Sequence, residues 1–153
     1  MKERGKVFIS YRRDTGAELA RNIRDALRRR RFGVFMDVED LRSGPFNTAL
    51  FEQIEAATDV VVALTPGSLD RCFDNSNDWL RLELGHALKH QKNVVPVLHR
   101  GFQWPDRSLP DDIAALTKQS GLAGCVPKSV DIRVMSPGKA SRGVSYRVRH
   151  LRT

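Results

Sequence analysis

Apolar and polar positions along this chain switch repeatedly between a strand pattern and a helix pattern. Lys6-Val7-Phe8-Ile9-Ser10 is a short β-rich run and predicts a first strand. Leu19, Ile23 and Leu27 then recur every fourth residue and form one apolar stripe, which predicts a helix ending in Arg28-Arg29-Arg30-Arg31. Thr15, with Glu18 three residues later, has the form of a capping box at its start. Gly33-Val34-Phe35-Met36-Asp37 predicts a second strand, and the polar Asp37–Pro45 stretch a loop. Leu50, Ile54 and Ala57 mark a second helix. Asp59-Val60-Val61-Val62-Ala63-Leu64 is almost continuously apolar, as a central parallel strand is. Asp70 to Asp78 reads as a loop, with Asn77 or Asp78 capping a third helix from Trp79 to about His90. Asn93 to Leu98 is a fourth strand, in which Pro96 suits an edge or an irregularity. Pro110 to Lys118 reads as a short helix, and Gly143 to Arg149 as a strand or an unstructured end.

The order β-α-β-α-β-α-β with short connections predicts a parallel sheet with helices on both faces. Such sheets bind ligands beyond the carboxyl ends of their strands, where the strand order reverses. If the first and third strands flank that point, Ser10-Tyr11-Arg12-Arg13 and Thr65-Pro66-Gly67 line the crevice, beside the start of the third helix.

Composition narrows the class. The chain has 153 residues, 41% hydrophobic and 29% charged, enough for one domain with a core. The longest apolar run, Val60 to Leu64, is too short to cross a bilayer, and the amino terminus carries no apolar leader pattern. Two cysteines in unrelated contexts, Cys72 and Cys125, fit a reducing cytoplasm rather than a disulfide framework. Of the net charge of +8, residues 124–153 carry +6 (seven basic residues against Asp131), which leaves +2 for 1–123. The expected division is a folded unit at 1–123 and a basic tail at 124–153. An inference of nucleic-acid binding applies to the tail alone and is disfavoured against a solvated end.

The chemistry concentrates in Asp78-Trp79-Leu80-Arg81-Leu82-Glu83-Leu84. Trp79 and Glu83 are one helical turn apart and share a face. A carboxylate among apolar neighbours is costly to bury without a purpose, and an indole beside it suits a flat cationic ligand. On an arbitrary helix such a pair is packing plus a solvated charge; the surrounding motifs tip the balance. Arg12 and Arg13 are candidates for holding a pyrophosphate, weighed evenly against solvated loop charges. His86 and His90 also stand at i,i+4, but HExxH is absent and a surface or packing role is favoured, so no metal is expected. The Arg28–Arg31 run reads as a cationic helix end.

In Val7 to Arg13, Asp37 to Phe46, Val60 to Pro66 and Asp78 to Leu84, the chain resembles the Toll/interleukin-1 receptor (TIR) domain family, in its bacterial form. The resemblance covers roughly Lys6 to Gly121 and rests on four ordered motifs. It implies an α/β, flavodoxin-like parallel sheet of about five strands. It also implies cleavage of NAD⁺, as substrate and without a further cofactor, at the nicotinamide–ribose bond. The essential glutamate of the family falls on Glu83 and its WxxxE tryptophan on Trp79. Ser10, Tyr11, Arg12, Arg13, Asp37, Leu41, Ser43, Gly44 and Phe46 fall around the substrate, and the loop corresponding to Asp37–Phe46 closes the site or docks on a neighbouring domain. The resemblance further implies activation by TIR–TIR self-association, including filaments, under a fused or separate sensor, in antiphage defence. After Gly121 the pattern departs: Leu122 to Val126 is a feeble strand and no amphipathic final helix follows. Three functions are weighed: an NAD⁺-consuming enzyme, a non-catalytic TIR interaction module or host-adaptor mimic, and a nucleic-acid binder acting through the tail. With neither GxGxxG nor a Walker A motif, ordinary dinucleotide-fold and P-loop roles are disfavoured.

Overall fold

A computed structural model describes residues 5–36, 46–99, 101–119, 130–134 and 144–148, with the backbone alone at 46–47, 118–119 and the last two segments. Four parallel strands form the sheet: β1 (Lys6–Tyr11), β2 (Gly33–Met36), β3 (Asp59–Leu64) and β4 (Asn93–Leu98), in the order β2-β1-β3-β4. All six residues of β3 are buried, which accounts for its continuous apolar run. β1 pairs with β2 on one side and β3 on the other, so the strand order reverses between β1 and β3. Pro96 lies in β4, opposite Val62, at the edge of this sheet, where a missing N–H is tolerated.

Successive strand residues face opposite sides, and two cores follow from that alternation. Val7, Ile9, Tyr11, Val61, Ala63, Val95 and Val97 pack against α1 (Arg13–Arg29), through Leu19, Ala20, Ile23 and Leu27. On the other face Phe8, Val60, Val62, Leu64 and Val94 meet Leu50 and Ile54 of α2 (Phe46–Ala56). Leu80, Leu84 and Ala87 of α4 (Trp79–Lys89) join the same core.

Several boundaries differ from the sequence expectation. α1 begins at Arg13 with Arg12 at the N-cap and no side-chain cap; Thr15 instead shares a hydrogen bond of 2.8 Å with Thr65 beyond β3. The expected Asp70–Asp78 loop holds a short helix, α3 (Asp70–Asp74). The expected helix over 110–118 is a run of turns at 111–115 leading into α5 (Leu116–Gln119). Residues 122–126 lie outside the described residues. Beyond them β5 (Val130–Val134) and β6 (Val144–Val148) pair as an antiparallel two-stranded sheet, of which only β6 was expected. The parallel sheet therefore has four described strands rather than five.

Candidate functional site

The site starts from a break in a pattern. Positions 80, 83, 84 and 87 of α4 lie on one buried face, where an apolar residue is expected at each. Leu80, Leu84 and Ala87 obey; Glu83 does not, and it is fully buried. Burial of a carboxylate demands hydrogen bonds. Strand alternation supplies one. Ser10, two residues after Phe8, faces the same side, and its hydroxyl donates to Glu83 Oε2 at 2.5 Å. The residue pair joins the carboxyl end of β1 to the middle of α4, beside the point where strand order reverses.

A second network fixes where α4 begins. Asp78 caps the helix by accepting from the Arg81 N–H at 3.2 Å. Its carboxylate also takes a two-pronged contact from Arg12, at 2.5 Å and 3.0 Å, with both side chains at most 10% exposed. Arg12 also donates to the Ser68 carbonyl, from Nη2 at 2.8 Å and from Nε at 3.1 Å. One guanidinium thus ties together the end of β1, the turn after β3 and the start of α4. Burial alone would raise the Asp78 carboxyl, but the Arg12 hydrogen bonds and charge outweigh it and hold it below its ordinary value. Burial likewise opposes the Arg12 charge, and Asp78 reverses that and raises the guanidinium. Cys72 of α3 completes the cluster, with its Sγ 3.5 Å from Asp78 Oδ2. Burial first, and the Asp78 charge second, push its thiol up to about 12, so it is not a nucleophile at neutral pH.

The expected site residues divide accordingly. Ser10 and Glu83 touch. Trp79 is half-buried one turn before Glu83 and packs on the same core. Tyr11, one residue past Ser10, faces the opposite side and packs against α1, away from Glu83. Arg12 is held by Asp78, and Arg13 opens α1 half-buried. Asp37, Leu41, Ser43 and Gly44 lie outside the described residues; Phe46 opens α2, with its backbone alone described. Sequence reasoning missed Asp78 as the partner of Arg12. A cap in a helix motif was its only signal, because the two residues are 66 positions apart. Two clefts among the described residues lie elsewhere. One of about 240 Å³ sits at the amino ends of β1 and β2, beside Lys6 and Gly33. Another, of about 590 Å³, lies between α2, α4 and Asp112. Neither includes Glu83, and strand direction favours the carboxyl-end crevice over both.

A model of the TIR domain matches residues 7–122. The chain belongs to the TIR domain family. Its parallel sheet and helices form the flavodoxin-like arrangement expected of a TIR domain. Over 120 residues the chain is 43% identical to NAD(+) hydrolase tir-1 of Caenorhabditis elegans, covering 76% of this chain and 12% of that protein. It is 40% identical to NAD(+) hydrolase SARM1 of Danio rerio over 119 residues, 76% of this chain and 16% of the relative. NAD(+) hydrolase sarm1 of Drosophila melanogaster is 37% identical over 119 residues, 76% of this chain and 9% of the relative. The chain therefore spans between 9% and 16% of the length of these curated relatives. Among the described residues no helix is long and apolar enough to cross a membrane.

Proposed function

We propose that this TIR domain is an NAD⁺ glycohydrolase with Glu83 as its catalytic carboxylate. The observation that carries the reading is a fully buried glutamate at a core position of α4, hydrogen-bonded to Ser10 at the switch point of the sheet. The names of the relatives support the same activity.

The chemistry asks for one carboxylate. Nicotinamide in NAD⁺ is a pyridinium; when its bond to ribose C1′ breaks, the electron pair returns to the ring nitrogen and the leaving group is neutral. No general acid is required. The demanding part is the positive charge that develops on the ribose. A carboxylate held in place before the reaction stabilises that charge without reorganisation. Ser10 fixes one oxygen of Glu83, and Trp79 shapes the pocket for the flat ring. The Arg12–Asp78 pair sets where α4 begins and so positions Glu83 along it. Arg13 and residues 37–46 are assigned to the dinucleotide. Water attack at C1′ gives ADP-ribose and a proton; attack by an adenine ring nitrogen gives a cyclic product. The reaction takes NAD⁺ as substrate and needs no cofactor.

The catalytic unit is assigned to 1–123, supported by the family match ending at residue 122, and the basic tail to 124–153. The proposed setting is the cytoplasm of a bacterium, in antiphage defence, with a fused or separate sensor driving TIR–TIR contacts. The test is product analysis of NAD⁺ incubated with the chain at rising protein concentration. Nicotinamide release with a specific activity that climbs with concentration is expected, and the ratio of ADP-ribose to cyclic product assigns the nucleophile. A concentration-independent activity removes the clustering step. No release from folded, self-associated protein overturns the enzyme and favours the interaction module.

A further inference from the structure

At the carboxyl end of α4, one and two turns beyond Glu83 and facing α2, a second cluster has no part in the chemistry above. His86 and His90 stand one turn apart, with ring centroids 4.3 Å apart. From the last turn of α2, Glu55 reaches between them. Its Oε1 lies 3.0 Å from His86 Nε2 and 3.4 Å from His90 Nε2. One ligand-capable atom from each residue falls within 4.8 Å of the others.

The two nitrogen–oxygen separations are close to those of ligands that share one ion. Nitrogen and oxygen ligands sit about 2.0–2.1 Å from zinc in a tetrahedral arrangement, which places neighbouring ligand atoms roughly 3.3 Å apart. The two nitrogen–oxygen distances bracket that spacing. The His86 ring is packed on Phe51, centroids 4.5 Å apart, and Phe51 is one turn before Glu55 on α2. The orientation of a ligand ring and the position of the carboxylate are therefore fixed by the same helix. Lys92 donates to the Glu55 backbone carbonyl at 2.5 Å and leaves the carboxylate to the histidines.

We propose that Glu55, His86 and His90 form a three-ligand site for a divalent transition ion of the zinc class, which staples α2 to α4. Two imidazoles and one carboxylate are a ligand set zinc accepts, with water in the fourth position. Each Nε2 binds as the neutral ring with its proton on Nδ1, so a proton is released only from a ring that was charged. The ion would fix α2 against the helix that carries Glu83. Two histidines alone do not signal this in the sequence, because the third ligand comes from 31 positions earlier.

The test titrates Zn²⁺ into untagged protein by calorimetry and follows the thermal midpoint, with Co²⁺ as a spectroscopic probe. Expected are one site, a midpoint that rises with free Zn²⁺, and a tetrahedral Co²⁺ spectrum without a thiolate band. Glu55→Gln and His90→Gln, both at exposed positions, should each weaken Zn²⁺ by more than the roughly 10- to 100-fold that loss of an outer partner costs. Zn²⁺ affinity unchanged in both variants, no binding by the parent, or a thiolate charge-transfer band would overturn the site.

Discussion

At the scale of single residues, the Ser10–Glu83 contact and the Arg12–Asp78 pair do different work. Ser10→Ala removes one donor from a buried carboxylate, at a cost of about 1–3 kcal/mol to that group. Because the carboxylate stays in place, the loss should fall on kcat, by roughly tenfold, with KM little changed; steady-state kinetics check this. Breaking a buried ion pair by deleting one partner costs about 3–5 kcal/mol, since the other charge is left stranded. Asp78 also links stability to pH. Its folded carboxyl lies below the ordinary value of about 3.9, so its contribution is present above that pH and is lost as pH falls through the folded value. In urea denaturation the stability gap between the parent and Asp78→Asn should therefore be full at pH 6 and close progressively below pH ~4. A gap that widens in acid would show that Asp78 is not held in its charged form.

At the scale of elements, α1 and α4 each end in a Schellman turn closed by a non-glycine residue. After α1 the Phe32 N–H reaches the Leu27 carbonyl, with Arg31 at φ 68°; after α4 the Lys92 N–H reaches the Ala87 carbonyl, with Gln91 at φ 56°. A left-handed side chain costs about 1–2 kcal/mol, against roughly 0.5–1 kcal/mol of chain entropy that glycine forfeits. Gln91→Gly, at an exposed position, should therefore stabilise the fold by a net of up to about 1.5 kcal/mol, which calorimetry reads as a raised thermal midpoint. The same elements show what a sequence exposes. β3 and β4 were legible to the residue because Asp59–Leu64 and Asn93–Leu98 are near-continuous apolar runs. The start of α1 was not, since Thr15 looks like a cap yet bonds Thr65 across the sheet. α3 was hidden because five polar-rich residues in a Asp/Asn segment carry no helical period. Val130–Val134 does alternate with period two, but five residues of alternation are too short a signal to mark a strand by themselves.

At the scale of the whole molecule, the order of apolar runs was enough for the sheet, its switch point and the placing of α4, because parallel topology follows from alternation of strand and helix. The site was legible only in part. Glu83 and Trp79 were visible as an i,i+4 pair, and Ser10 as the residue at the strand end. The pairing of Arg12 with Asp78, and the turning of Tyr11 to the far face, needed the packing of β1 between two helices. All of this converges on Glu83, the one core position of α4 that carries a charge-capable group. The most direct measurement is the rate of nicotinamide release from NAD⁺ by the parent and by Glu83→Gln, with both shown folded by circular dichroism. Glutamine keeps the size and the Ser10 contact but removes the negative charge, so the rate should fall about 10²–10³-fold or more, with stability retained. A folded Glu83→Gln protein that releases nicotinamide at the parent rate would show that the buried carboxylate is not the catalytic group.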